Sequence, residues 1–227
     1  MIYLHITAEG QTEQNFARRI LTPHLAKLNV FVDARCVLTS KDKRTSREYR
    51  GGLSHYGKAQ KDIQDWLKED SRAECRFTTM FDLYALPVDF PGYAETTQNG
   101  DPYDRVRFLE EKLEESVNDR RFIPYIQLHE FEALILAAPH NLDLVYLEHD
   151  TQIENLVSMM EGQNPELINE GSETAPSKRI LKHIPEYKKE TAGVAVAKRI
   201  GLPTLRAKCR HFNEWLSRLE QLSGVAP

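Results

Sequence analysis

"MIYLHITAEGQTEQNFARRILTPHLAKL", residues 1–28, decides the fold class. Its first seven residues read as a strand, and Phe16, Ile20, Leu25 and Leu28 recur near helical spacing, with Thr12 as the expected cap. A strand that runs through one glycine turn into a helix is the start of a crossover, the connection that parallel strands need. The same alternation continues outward. "VFVDARCVL" (30–38) reads as a second strand, "RFTTMFDLYALP" (76–87) as a third that must stop before Pro87, and "RFIPYIQLH" (121–129) as a fourth. Helices are expected from about Ala59 to Lys68 and over "PYDRVRFLEEKLEESV", with Pro102 at its first position. After "HEFEALILAAP" only helical segments follow. The expectation is an α/β fold: a domain over 1–138 with a mainly parallel four-stranded sheet flanked by helices, and a helical carboxyl-terminal region over 139–227 packed on it.

Composition narrows the function classes. The chain has 227 residues, 41% of them hydrophobic, enough for a sizeable core. No apolar run reaches the roughly 18 residues that span a bilayer, so a cytoplasmic protein without membrane contact is expected. Cys36, Cys75 and Cys209 are an odd number at wide spacing, which speaks for buried thiols rather than a disulfide framework. A formal charge of −4 gives no global nucleic-acid footprint, so any such contact must come from local patches.

Two basic stretches are candidates for that contact. "SKDKRTSREYRGGLSHYGK" (40–58) reads as a long loop carrying Lys43, Arg44, Arg47 and Arg50, with Tyr49 and Tyr56 interleaved for stacking. "PSKRILKHIPEYKK" (176–189) places Lys178, Arg179 and Lys182 after Ser177, an expected helix cap. A solvated loop explains the first stretch about equally well, and a solvated helix face explains the second slightly better.

The acidic residues carry the chemistry. In an open parallel sheet the ligand site lies beyond the carboxyl ends of the strands, where Glu9, Asp82 and Glu130 are expected to emerge. Carboxylates gathered at one rim resist ionisation unless a cation lies between them, and oxygen donors suit Mg²⁺ or Mn²⁺. Such an ion would hold a phosphodiester while a neighbouring glutamate moves a proton. Glu13 is either a further ligand or an acid placed at the helix start. Glu132 lies two residues from Glu130, so the two do not share a face of a continuous helix, and His129 is a candidate proton carrier or phosphate contact.

"AEGQTE", "FDLYALPVDFPGY", "QLHEFEALIL", "PSKRI", "PEYKK" and "CRHFNEWLSRLE", in this order, resemble the bacterial domain-of-unknown-function family 4276 over nearly the whole chain. That family in turn resembles the Toprim superfamily of metal-dependent topoisomerases, primases and nucleases. The resemblance implies a Toprim-like sheet, a proton-transfer role for Glu9 and a metal-ligand role for Asp82. It departs at Tyr84, where the Toprim pattern has a second aspartate; Asp89, Glu130 or Glu132 is then the replacement ligand, or the site is degenerate. The resemblance also implies an ABC-type or AAA-type ATPase partner in phage defence.

The leading expectation is therefore a divalent-metal-dependent nuclease acting on DNA or RNA. Its rival is a catalytically degenerate interaction module docking through Phe212, Trp215, Leu216 and Leu219. A small-molecule phosphohydrolase would use the same metal chemistry. No phosphate-cradling glycine loop is present, because "RGGLSHYGK" has neither the spacing nor the following Ser or Thr.

Overall fold

The structure, a computed structural model, describes residues 1–41, 48–50, 53–96, 100–168, 171 and 174–224. It divides into two compact units, Met1–Ile126 together with Arg218–Pro227, and Gln127–Ser217.

In the first unit the chain runs β1 (Ile2–Ala8), α1 (Gln11–Phe16), α2 (Thr22–Leu25), β2 (Val30–Cys36), β3 (Leu38–Lys41), β4 (Glu48–Arg50), α3 (Tyr56–Glu69), β5 (Cys75–Asp82), α4 (Pro102–Val117), β6 (Phe122–Ile123) and β7 (Ile126–Gln127). The main sheet has the order β2-β1-β5-β6, with every one of these pairs parallel, and β7 also pairs with β5. The expected α/β class with a mainly parallel sheet is what the chain adopts. Leu4, Ile6 and Phe81 on the central strands and Phe16, Leu21, Ile63 and Leu109 on the helices are fully buried or nearly so. Burial is continuous over Leu4–Ala8 of β1 and Phe77–Asp82 of β5, so both faces of these strands are covered.

Four local expectations are corrected. Thr12 is not the cap: Gly10 is, its N–H donating to Glu13 Oε2 at 3.0 Å while Thr12 is buried in the first turn. The helix through Leu28 is not uniform, because Ala17–Leu21 widens into a π-helical turn just before Pro23, which has no N–H to carry a regular ladder. The basic stretch after Leu38 is not simply a loop, since β3 and β4 pair antiparallel as a separate hairpin. The fourth strand is broken at Pro124, and the Thr79 hydroxyl bridges the gap by donating to the Tyr125 carbonyl at 2.8 Å and accepting from its N–H at 3.0 Å.

The second unit contains α5 (Glu132–Leu136), α6 (Asp150–Met160), α7 (Pro176–His183), α8 (Val194–Lys208) and α9 (Arg210–Glu220), the last crossing the unit boundary. Phe131, Leu134, Leu156, Ile180, Leu205 and Phe212 are fully buried. The start of α9 is closed by buried Glu166, whose carboxylate accepts from the N–H groups of His211 and Phe212 at 2.9 and 3.0 Å. Phe212, Trp215, Leu216 and Leu219 are buried, so α9 does not offer them as the docking face of an interaction module. Among the described residues no helix is long and apolar enough to cross a membrane.

Candidate functional site

The sheet order places β2 on one side of β1 and β5 on the other, which makes the β1/β5 junction the topological switch point. Ligands of open α/β sheets bind in the crevice that such a junction leaves beyond the strand carboxyl ends. Glu9 follows the last residue of β1 and Asp82 is the last residue of β5. The Glu9 N–H continues the ladder to the Met80 carbonyl at 3.0 Å, and Glu9 Oε2 accepts from the Asp82 N–H at 2.9 Å. One carboxylate is thus fastened to the backbone that carries the other. Glu13 is brought to the same turn by its bond to the Gly10 N–H and is 2% exposed; Asp82 is 4% exposed. A backbone N–H orients a carboxylate without cancelling its charge.

Asp89 has a different task. Both of its oxygens accept from the Tyr56 N–H at the start of α3, at 3.1 and 3.2 Å. It is a helix cap supplied from a distant part of the chain. Glu130 does likewise in the second unit, accepting from the Ser177 N–H at 2.7 Å; the residue before α7 is Ala175, so Ser177 is not the cap expected from its sequence position. Glu132 is 1% exposed, with Lys189 Nζ at 3.8 Å. The Tyr187 hydroxyl is pushed well above its ordinary pKa, first by burial and then by the Glu132 charge. The approach to Gly193 is close: a Cβ there would lie 3.2 Å from Phe131 and from the Tyr187 hydroxyl. His129 is 5% exposed and holds a left-handed backbone, φ 60°, a conformation a non-glycine residue keeps only where its surroundings impose it.

Of the basic candidates, Lys43, Arg44 and Arg47 lie outside the described residues, and Arg50 belongs to β4. Lys178 and Lys182 are exposed on α7. Arg179 is committed to the fold: its guanidinium donates to the Thr174 and Ile168 carbonyls at 2.7 and 2.9 Å.

A further cluster was not foreseen. Near the amino-terminal ends of β1 and β5, His5, Asp70 and Cys75 bring ligand atoms within 4.8 Å of one another, and no other such group of three occurs among the described residues. His5 Nε2 lies 2.8 Å from Asp70 Oδ2, and the Arg72 guanidinium contacts both Asp70 oxygens, at 2.8 and 2.5 Å. Arg72 holds the Asp70 carboxyl far below the usual carboxylate range. Burial, then Asp70, pushes the Cys75 thiol up to about 11. Although the donor types could hold a metal, the carboxylate is already matched by a fixed cation, and a second cation would meet the Arg72 charge. The cluster works as a hydrogen-bonded hub. A lone histidine inside an apolar strand was its one visible signal, and its partners lie too far along the sequence to be guessed.

The family model described as "Domain of unknown function (DUF4276)" matches residues 8–220. No curated protein matches the chain. Among solved structures, the C-terminal region of the Xanthomonas campestris pv. campestris OLD protein phased with platinum is 13% identical, with 95% of this chain and 94% of that chain covered and a TM-score of 0.42. The form phased with iodine is 14% identical, with 95% and 96% covered and a TM-score of 0.40. Both likenesses are too distant to carry a function.

Proposed function

This chain belongs to the DUF4276 family, and from that premise we propose that it is a divalent-metal-dependent nuclease that hydrolyses phosphodiester bonds of DNA or RNA. The reading rests on one observation: Glu9 and Asp82 meet at the sheet's switch point, tied by the Asp82 N–H to Glu9 Oε2 bond of 2.9 Å. Mg²⁺ is ordinarily held by one or two carboxylates, with waters and substrate phosphates completing its shell, so a pair of acids fits the ion where a closed protein cage is absent. Asp82 would hold the ion and Glu9 would move a proton. Bound Mg²⁺ or Mn²⁺ would polarise a phosphoryl oxygen and acidify a water.

The chain's own part is orientation. The bond from the Asp82 N–H fixes the Glu9 carboxylate, and the bond from the Gly10 N–H places Glu13 at the same turn. Asp89 and Glu130 are engaged at helix starts and Glu132 at Lys189, so the reading assigns the ion to the Glu9 and Asp82 rim. Exposed Lys178 and Lys182 are the phosphate contacts of the proposal, and the Toprim resemblance adds an ABC-type or AAA-type ATPase partner in phage defence.

The test is calorimetric titration of Mn²⁺ into wild type, Glu9→Gln and Asp82→Asn, followed by incubation of each with labelled DNA and RNA oligonucleotides. Saturable binding weakened by Asp82→Asn, with cleavage lost in both variants, is the expected result. Cleavage that survives both substitutions would sink the reading. Tyr84, standing where the Toprim pattern has an acid, favours a second reading in which the site binds nucleic acid without cutting it. Metal-dependent oligonucleotide binding with no product would select that one.

A further inference from the structure

The strands β5 and β6 start side by side. They pair parallel with Phe77 opposite Phe122, and the Phe77 N–H donates to the Arg121 carbonyl at 2.9 Å, which brings Arg76 and Arg121 together at the amino-terminal edge of the sheet. Each strand is led in by the same device. Asp70 and Asp119 each accept from the backbone N–H and the Nε of the arginine two residues on, at 3.4 and 2.8 Å for Arg72 and at 2.8 and 3.0 Å for Arg121. The Arg121 guanidinium also donates to the Asp70 and Leu67 carbonyls at 2.7 and 3.0 Å. Arg72 and Arg121 are thus each matched by the aspartate of their own turn, and they hold those two carboxyls below the usual carboxylate range.

Two further arginines are not balanced in this way. One nitrogen of Arg76 donates to the Ala73 and Cys75 carbonyls, both at 2.8 Å, and these neutral acceptors leave its charge intact. Arg120 is exposed, and among the described residues neither it nor Arg76 forms an ion pair with a carboxylate. With Ala73 and Arg121 they line a pocket of about 220 Å³, and no carboxylate lines it among the described residues. Arg120 also borders a cleft lined by Glu111, Glu114, Glu115 and Asp119, an acidic wall that disfavours an anion. Like charges set against each other across paired strands repel, and an anion between them relieves that cost. The planar guanidinium fork matches phosphate oxygens, and the volume falls below the roughly 300–1,000 Å³ that enclose a drug-sized ligand. It suits one phosphate or diphosphate group.

We propose that this pocket is a phosphate-binding site, with Arg76 and Arg120 supplying its charge and Arg121 its fixed wall. It lies at the amino-terminal ends of β5 and β6, whereas Asp82 closes the carboxyl end of β5, so the site stands apart from the metal rim and does not rest on the nuclease reading. A free phosphate or diphosphate and the terminal phosphate of a nucleic-acid strand present the same chemistry, and the experiment separates the two sources.

Inorganic phosphate and then pyrophosphate are titrated calorimetrically into the full chain without divalent metal, so that no metal-bridged phosphate forms at the carboxylate rim. Saturable binding is expected, weakened about tenfold or more by Arg120→Gln and by Arg76→Gln, the usual worth of a hydrogen bond to a charged group. Substitution of exposed Lys27 by Gln, outside the pocket lining, should leave it unchanged. Because Arg120 is exposed, its loss does not threaten the fold, and it decides the test should Arg76→Gln fail to fold. A single strand with a terminal phosphate that outbinds its hydroxyl-ended form, an advantage lost in Arg120→Gln, assigns the pocket to strand ends. Equal binding of the two strands with pyrophosphate binding retained assigns it to a free anion. Absence of saturable binding by phosphate, pyrophosphate and the phosphate-ended strand, or binding that both arginine substitutions leave intact, overturns the proposal and leaves the nuclease reading standing.

Discussion

The two ends of β1 and β5 handle negative charge in opposite ways. At the amino-terminal end Asp70 meets a guanidinium through both oxygens and a histidine through one of them. At the carboxyl end Glu9 accepts from the Asp82 backbone N–H, a neutral donor. The first arrangement balances a charge, and the second orients one. The contrast teaches that buried carboxylates on one sheet are not equivalent candidates for chemistry. A guanidinium neutralises the carboxylate it holds, whereas a backbone N–H orients one and supplies no full charge.

The largest expected effect breaks the comparison outright. Glu9→Gln should lower cleavage of labelled oligonucleotides by about 10²–10⁴-fold, the usual worth of a positioned proton-transfer group, with the melting temperature nearly unchanged. A melting temperature that fell together with activity would make Glu9 structural, like Asp70. The reciprocal substitution, Asp70→Ala, strips the hub of its shared acceptor. It should lower the melting temperature by several degrees while leaving Mn²⁺ binding at the opposite rim within twofold of wild type, read by differential scanning fluorimetry and calorimetry.

A pH series sharpens the same contrast. The Asp70 carboxyl titrates below its unfolded value because of Arg72, so its contribution to stability is fully present above an unfolded pKa of about 3.9 and is lost as pH falls toward the folded value. Melting temperature plotted against pH should therefore fall more steeply below about pH 4 in wild type than in Asp70→Asn. The smallest effect is the near absence of one. With its thiol held up to about 11 by burial and Asp70, Cys75 should resist iodoacetamide at pH 8 in the folded protein, as mass spectrometry of digests would report. Rapid labelling there would mean that the hub opens.

The parallel sheet and its rim were legible because the signals were local. "IYLHITA" and "CRFTTMFD" are rich in β-branched and aromatic residues and end in an acid or lead directly to one. The hairpin of Leu38–Lys41 with Glu48–Arg50 was hidden by its polar composition, which lacks the alternation of a half-buried strand. Pro124 divided a strand whose continuity then depends on Thr79, a partner far away in sequence.

The acids taught the most. Asp89, Glu130 and Glu166 each satisfy N–H groups at the start of a helix remote in sequence. From sequence alone such a carboxylate looks like a free ligand. The residues before α3 and α7, His55 and Ala175, carry no capping oxygen of the Ser, Thr, Asp or Asn kind, and at each the remote acid takes that place.

The first unit is completed by residues that follow the second in the chain. His24 Nε2 lies 2.6 Å from Glu220 Oε1, and Leu219 is fully buried. During translation the strands and most helices of the first unit leave the ribosome first, and the whole second unit follows before Leu219 and Glu220 arrive. The contact between His24 and Glu220 joins residues 196 apart in sequence, so this part of the first unit closes only after the chain has passed through the second.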